Sequence, residues 1–69
     1  MTLGENVRRL RVQRELSQEA LADLSSLDRT YISQIERALG NPSLEVIAKI
    51  ALALDVPPGS LIERQLGQD

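Results

Sequence analysis

Apolar residues recur along this chain at intervals of three and four, and a capping residue stands before each of the first four apolar blocks. Leu3, Val7 and Leu10 fall at i, i+4 and i+7, the spacing of one helix face. Thr2 with Glu5 forms a capping-box signature, which predicts a first helix over residues 3–14. Ser17 caps a second helix over 18–25, with Leu21 and Leu24 expected to point inward and Ala22 small where another helix must approach closely. Asp28 caps a third over 29–37, its carboxylate also suiting the positive end of the helix. Asn41-Pro42-Ser43 stops that helix and caps a fourth over 44–54. There Leu44, Val46, Ile47, Ile50, Ala51, Leu52 and Leu54 leave Glu45 and Lys49 as the only polar strip. A helix so apolar is expected to be buried centrally or partly covered by another molecule. Pro57-Pro58 starts a fifth over 58–66. No stretch alternates apolar and polar residues over strand length, so an all-α fold of five short helices is expected.

The second and third helices, joined by a tight turn, have the layout of a helix-turn-helix, in which the second of the pair enters the major groove of DNA. At ~100° per residue, Arg29, Ser33, Arg37, Thr30 and Gln34 share one arc of roughly 140° on the third helix. Ile32 and Ile35 lie opposite, Tyr31 flanks the apolar side, and Glu36 sits on the border between Ile32 and Arg29. The arc carries what base edges require. Arginine donates a bidentate pair to guanine, glutamine does the same for adenine, and a threonine methyl meets the thymine methyl.

Composition narrows the classes. The chain has 69 residues, enough for one small domain over 1–69, with no linker or repeat in it. It contains no cysteine and no histidine, so disulfides, thiolate metal sites and the usual general base are excluded. No carboxylate sits in a glycine-rich loop or beside a plausible base; an enzyme is not expected, nor a metal, cofactor or small-molecule ligand. No apolar run spans a bilayer and no signal peptide begins the chain, so a cytoplasmic address without a membrane partner is the expectation. The formal charge of −2 is unlike that of a generic polyanion binder. Its distribution is uneven. Arg8, Arg9, Arg11 and Arg14 crowd the first helix, whereas Lys49 and Arg64 face Glu45, Asp55, Glu63 and Asp69 in the second half. Such a distribution fits a binder that relies on shape and base contacts more than on bulk attraction.

Residues 3 to about 62 resemble the Cro/CI-type helix-turn-helix family (XRE, lambda-repressor-like). The matching words are Leu3-Gly4-Glu5, Leu10-Arg11, Leu16-Ser17-Gln18-Glu19, Leu21-Ala22, Arg29-Thr30-Tyr31-Ile32-Ser33-Gln34-Ile35-Glu36-Arg37 and Asn41-Pro42-Ser43-Leu44. The segment Leu27–Ser33 is also similar to the controller proteins of restriction–modification operons. The resemblance implies a compact lambda-repressor-like domain in which Arg29, Thr30, Ser33 and Gln34 meet bases. It places Gln18 on a phosphate while bracing the third helix, and Asn41 and Ser43 on the backbone. The free N–H groups at the starts of the second helix, behind Ser17, and of the fourth suit phosphate oxygens. Arg37 and the Tyr31 hydroxyl complete the phosphate-contact set, with core packing the other reading of Tyr31. Arg11 and Glu36, each on the shoulder of its apolar stripe, are expected to form an ion pair bridging the first and third helices.

Three positions where the family favours glycine carry Glu15, Ser26 and Ala38. Either these residues accept a positive φ at roughly 1–2 kcal/mol each, or the turns differ locally.

A single recognition helix reads few base pairs, so a two-fold homodimer on a pseudo-palindromic operator is expected. Leu52, Val56, Leu61, Ile62 and Leu66 are candidates for its interface. Such a dimer would block or recruit RNA polymerase, regulated through its own concentration. The competing class is an antitoxin-type module that binds a toxin as well as DNA; a phage repressor and a non-DNA adaptor are further readings.

Overall fold

The computed structural model describes residues 2–62, and over them the chain is helical with no strand. The helices are α1 (Leu3–Gln13), α2 (Gln18–Ser25), α3 (Arg29–Glu36), α4 (Leu44–Leu54) and α5 (Gly59–Ile62). Expected starts match for the first four, and α1 and α3 each stop one residue earlier than expected. The rest of the fifth expected helix, and Glu63, Arg64, Leu66 and Asp69, lie outside the described residues.

Each of the first four helices is started by its own side chain. Thr2 Oγ1 accepts from the Glu5 amide at 3.1 Å while the Thr2 amide donates to Glu5 Oε1 at 2.8 Å, a reciprocal box that satisfies two otherwise orphaned donors. The Thr2 backbone N–H on its carboxylate holds Glu5 below the usual carboxylate range. Ser17, Asp28 and Ser43 accept from the amides of Ala20, Thr30 and Val46 at 2.9, 2.7 and 3.2 Å.

The same four helices end alike. Glu15, Ser26, Ala38 and Asp55 have φ of 56°, 60°, 61° and 59°. After each, the next amide reaches back five residues: Leu16 to the Arg11 carbonyl, Leu27 to Ala22, Leu39 to Gln34 and Val56 to Ala51, at 2.8–3.0 Å. This is the Schellman closure, built four times on a residue with a Cβ. Chain reversal after these helices therefore rests on left-handed residues that glycine would occupy at less cost. Leu16, Leu27 and Val56, the apolar residues that follow three of these bends, pack against the core and help hold the bends in place.

The core is Val7, Leu10, Leu21, Ala22, Ile32, Ile35, Ile47, Ile50, Ala51, Leu54 and Leu61. Helix α3 lies against α1 and α2, α4 against α2, and α5 closes the far side of α1. Two expectations are corrected. Leu24 does not point inward; it is 59% exposed. The buried arc of α2 is Leu21, Ala22 and Ser25, and at ~100° per residue Leu24 falls beyond its edge. Buried Ser25 is accommodated because its hydroxyl donates to the Leu21 carbonyl at 2.7 Å. Leu61 is not at an interface; it is fully buried, and its carbonyl accepts from Asn6 Nδ2 at 2.7 Å. Fully burying one leucine stabilises a fold by about 1.5–3 kcal/mol, which a core this small needs from its last helix.

Helix α4 is central on one face only. Ile47, Ile50, Ala51 and Leu54 are buried, whereas Leu44 and Leu52 are 79% and 83% exposed. No helix among the described residues is long and apolar enough to cross a membrane.

Candidate nucleic-acid interface

Helix α3 is fixed from behind and exposed in front. Behind, Ile32 and Ile35 are buried, and Glu36 ends the helix in a polar knot. Arg11 Nε and Nη2 donate to the two Glu36 carboxylate oxygens at 2.6 and 3.0 Å, the bidentate fork that suits a carboxylate best. Gln18 Nε2 donates to the same Glu36 Oε1 at 3.1 Å, and Arg11 Nη1 donates to the Leu16 carbonyl at 2.8 Å. The side chains of Arg11 and Glu36 are only 13% and 4% exposed. One carboxylate thus ties the end of α3 to α1, to the bend after α1 and to the start of α2.

Close backbone contact reinforces the knot. A Cβ on Gly4 would run into the Ile35 carbonyl oxygen, so glycine lets α1 lie directly on the last turn of α3.

In front, Arg29, Thr30, Gln34 and Arg37 are exposed, and Ser33 on the same arc is half-buried. Tyr31 is half-buried and packs against the core. The caps of α2 and α4, Ser17 and Ser43, are exposed with their hydroxyls committed to the helix. Asn41 is exposed and lines a groove of about 180 Å3 between the start of α1 and the loop after α3. The structure therefore joins Gln18, Arg11 and Glu36 directly and, among the described residues, leaves the side chains of the base-contact candidates without bonds to one another. Of the interface candidates, Leu52 and Ile62 are 83% and 55% exposed, Val56 is half-buried against the core, and Leu66 lies outside the described residues.

Three contributors escaped the sequence reading. Asn6 is buried and ties α1 to α5; its signal was a polar residue set three from Leu3 and four from Leu10 on an apolar stripe. Gly4 is the close-approach residue between α1 and α3. Asp55 is a fourth left-handed closure, foreshadowed by the apolar Val56 that follows it. Among the described residues no group of acidic side chains could hold a metal ion.

Comparison with known proteins agrees with this geometry. A helix-turn-helix family model (HTH_3) matches residues 7–61. The control protein C.BamHI of Bacillus amyloliquefaciens is 45% identical over 64 residues, covering 91% of this chain and 79% of that protein. The crystal structure of the restriction–modification controller protein C.AhdI from Aeromonas hydrophila superposes with a TM-score of 0.85 at 48% identity, covering 87% of this chain and 91% of that one. The N-terminal DNA-binding domain of SinR from Bacillus subtilis superposes at 0.86 with 30% identity, covering 91% and 93%.

Proposed function

The chain belongs to the helix-turn-helix (HTH_3) family, and from that premise we propose that it is a sequence-specific regulator of transcription that binds double-stranded DNA as a homodimer. Its operator is pseudo-palindromic, and its role is that of a restriction–modification controller. The observation that carries this reading is the contrast across α3: a face bolted to α1 and α2 through Glu36, and an opposite face of free donors. A helix held rigidly from one side and equipped for hydrogen bonding on the other is what direct readout of base edges needs.

Arg29, Thr30, Ser33 and Gln34 read bases. Gln18, Ser17, Tyr31, Arg37, Asn41 and Ser43 meet the phosphate backbone and set the register without carrying sequence information. Gln18 has two amide hydrogens and one is engaged by Glu36, so the other is available to a phosphate while the first keeps α2 and α3 in step. Leu52, Val56 and Ile62 form the described part of the dimer interface; Leu52 near the end of α4 and Ile62 at the end of α5 are both large apolar side chains left exposed. Two copies related by a two-fold axis then present their α3 helices to half-sites about one helical turn apart. On its operator the dimer blocks or recruits RNA polymerase. The similarity to C.BamHI and C.AhdI favours this reading over a toxin-binding one.

In vitro selection of bound duplexes tests it. The expected result is an enriched motif with two-fold symmetry; failure to enrich any duplex at low ionic strength would refute it.

A further inference from the structure

The amino end of α3 carries a charged group that the base-contact set above leaves out. Asp28 stands immediately before the helix with an extended backbone, φ −76° and ψ 142°, and is exposed. Its Oδ1 accepts from the Thr30 amide at 2.7 Å, which pins the carboxylate in place. Among the described residues nothing donates to Oδ2. A fixed, half-satisfied carboxylate therefore projects at the tip of the helix, beside exposed Arg29 and Thr30.

The N-terminal end of a recognition helix is the end that meets base edges. DNA offers a carboxylate few welcomes there. Phosphates repel it, and so do guanine O6 and N7 and thymine O4, which are all acceptors. The only donors on the major-groove edge are the exocyclic amines of cytosine and adenine. Adenine sets its N7 acceptor next to that amine, whereas the cytosine amine has no acceptor beside it on its own base. Cytosine is the base that suits Oδ2.

We propose that Asp28 is a specificity-determining residue, accepting a hydrogen bond from the amine of one cytosine in each half-site and rejecting duplexes that place an acceptor there. The inference rests on the reading that α3 enters the major groove. Arg29, Thr30, Ser33 and Gln34 favour a matching sequence by attraction; Asp28 adds a repulsive element against the wrong one.

Parallel selections with the wild-type chain and Asp28→Asn test it, alongside a thermal melt of each. Asparagine caps a helix as well as aspartate, so the fold is retained, but its amide donates as well as accepts and carries no charge. The wild-type motif is expected to hold one cytosine favoured by at least about fivefold, the lower end for a single base contact. In Asp28→Asn that one preference disappears, the other positions stay, the melt is unmoved, and binding to unrelated duplexes is as tight or tighter. Identical motifs for the two proteins overturn the proposal, as does a uniform loss of affinity with a lowered melt, which would make Asp28 a cap alone. A wild-type chain that enriches no duplex overturns the underlying reading and the proposal with it.

Discussion

Replacing Glu36 by glutamine should remove a large part of the stability of this domain. The Glu36 carboxylate takes three hydrogen bonds, from Arg11 Nε at 2.6 Å, Arg11 Nη2 at 3.0 Å and Gln18 Nε2 at 3.1 Å. Glutamine keeps one of the two acceptor oxygens and, whichever way it lies, turns an NH2 group towards the guanidinium, and in one of the two orientations towards the Gln18 amide as well. Arg11, 13% exposed, would keep its charge with no counter-charge, facing only neutral oxygens, the one left on glutamine and the Leu16 carbonyl. Breaking a buried pair in this way costs about 3–5 kcal/mol, chiefly from the stranded charge. A chain of this length has in total about 3–10 kcal/mol, at roughly 0.05–0.15 kcal/mol per residue. The melt followed by far-ultraviolet circular dichroism should therefore fall by more than about 10 °C. Replacing both partners with apolar residues, Arg11→Met with Glu36→Leu, should recover most of the loss, because no charge is then left unpaired. A Glu36→Gln melt that overlays the wild type, or a double variant no more stable than the single one, would refute the reasoning.

Four further outcomes are expected. Ala38→Gly relieves a left-handed φ of 61° at an exposed position. Relief of about 1–2 kcal/mol less about 0.4–1 kcal/mol of added chain entropy leaves a melt raised by a few degrees, and a lowered melt would contradict it. Gly4→Ala drives a Cβ into the Ile35 carbonyl and should destabilise the chain by about 1–3 kcal/mol in urea unfolding, whereas helix propensity alone would raise its stability. Leu52→Asp, at an 83% exposed site, should leave the fold intact and shift sedimentation at micromolar concentration from dimer to monomer; an unchanged dimer would remove Leu52 from the interface. Gln34→Ala and Arg29→Ala should relax sequence preference, while Asn41→Ala should weaken binding to all duplexes alike in anisotropy titrations; the reverse pattern would exchange their roles.

Much of the fold could be read locally because its signals are local. Thr2, Ser17, Asp28 and Ser43 each act within three residues of themselves, so helix starts follow from the sequence alone. Long-range choices were harder. Leu21 and Leu24 are three apart and look like one stripe, but the inward direction of α2 is set by α3 and α4, which select Leu21, Ala22 and Ser25 instead. Leu61 looked like surplus apolar surface because its partner Asn6 is 55 residues away and polar. The pairing of Arg11 with Glu36 was suggested by their shoulder positions together with the family resemblance, whereas the Gln18 donor that completes it depends on the angle between α2 and α3. The left-handed bends at Glu15, Ser26 and Ala38 were anticipated only where the family uses glycine, since nothing in a glutamate, serine or alanine announces a positive φ. The polar arc of α3 was legible for a simpler reason: five polar residues at helical spacing opposite two isoleucines have one way to face.

Methylation protection of guanine N7 on a selected duplex shows whether α3 lies in the major groove, because N7 is on the edge that residues 29–34 are proposed to read. Two protected patches centred about 10 base pairs apart are expected, with Arg29→Ala restoring methylation of the guanine proposed to meet Arg29. A bound duplex whose guanines react as freely as those of naked DNA would contradict it.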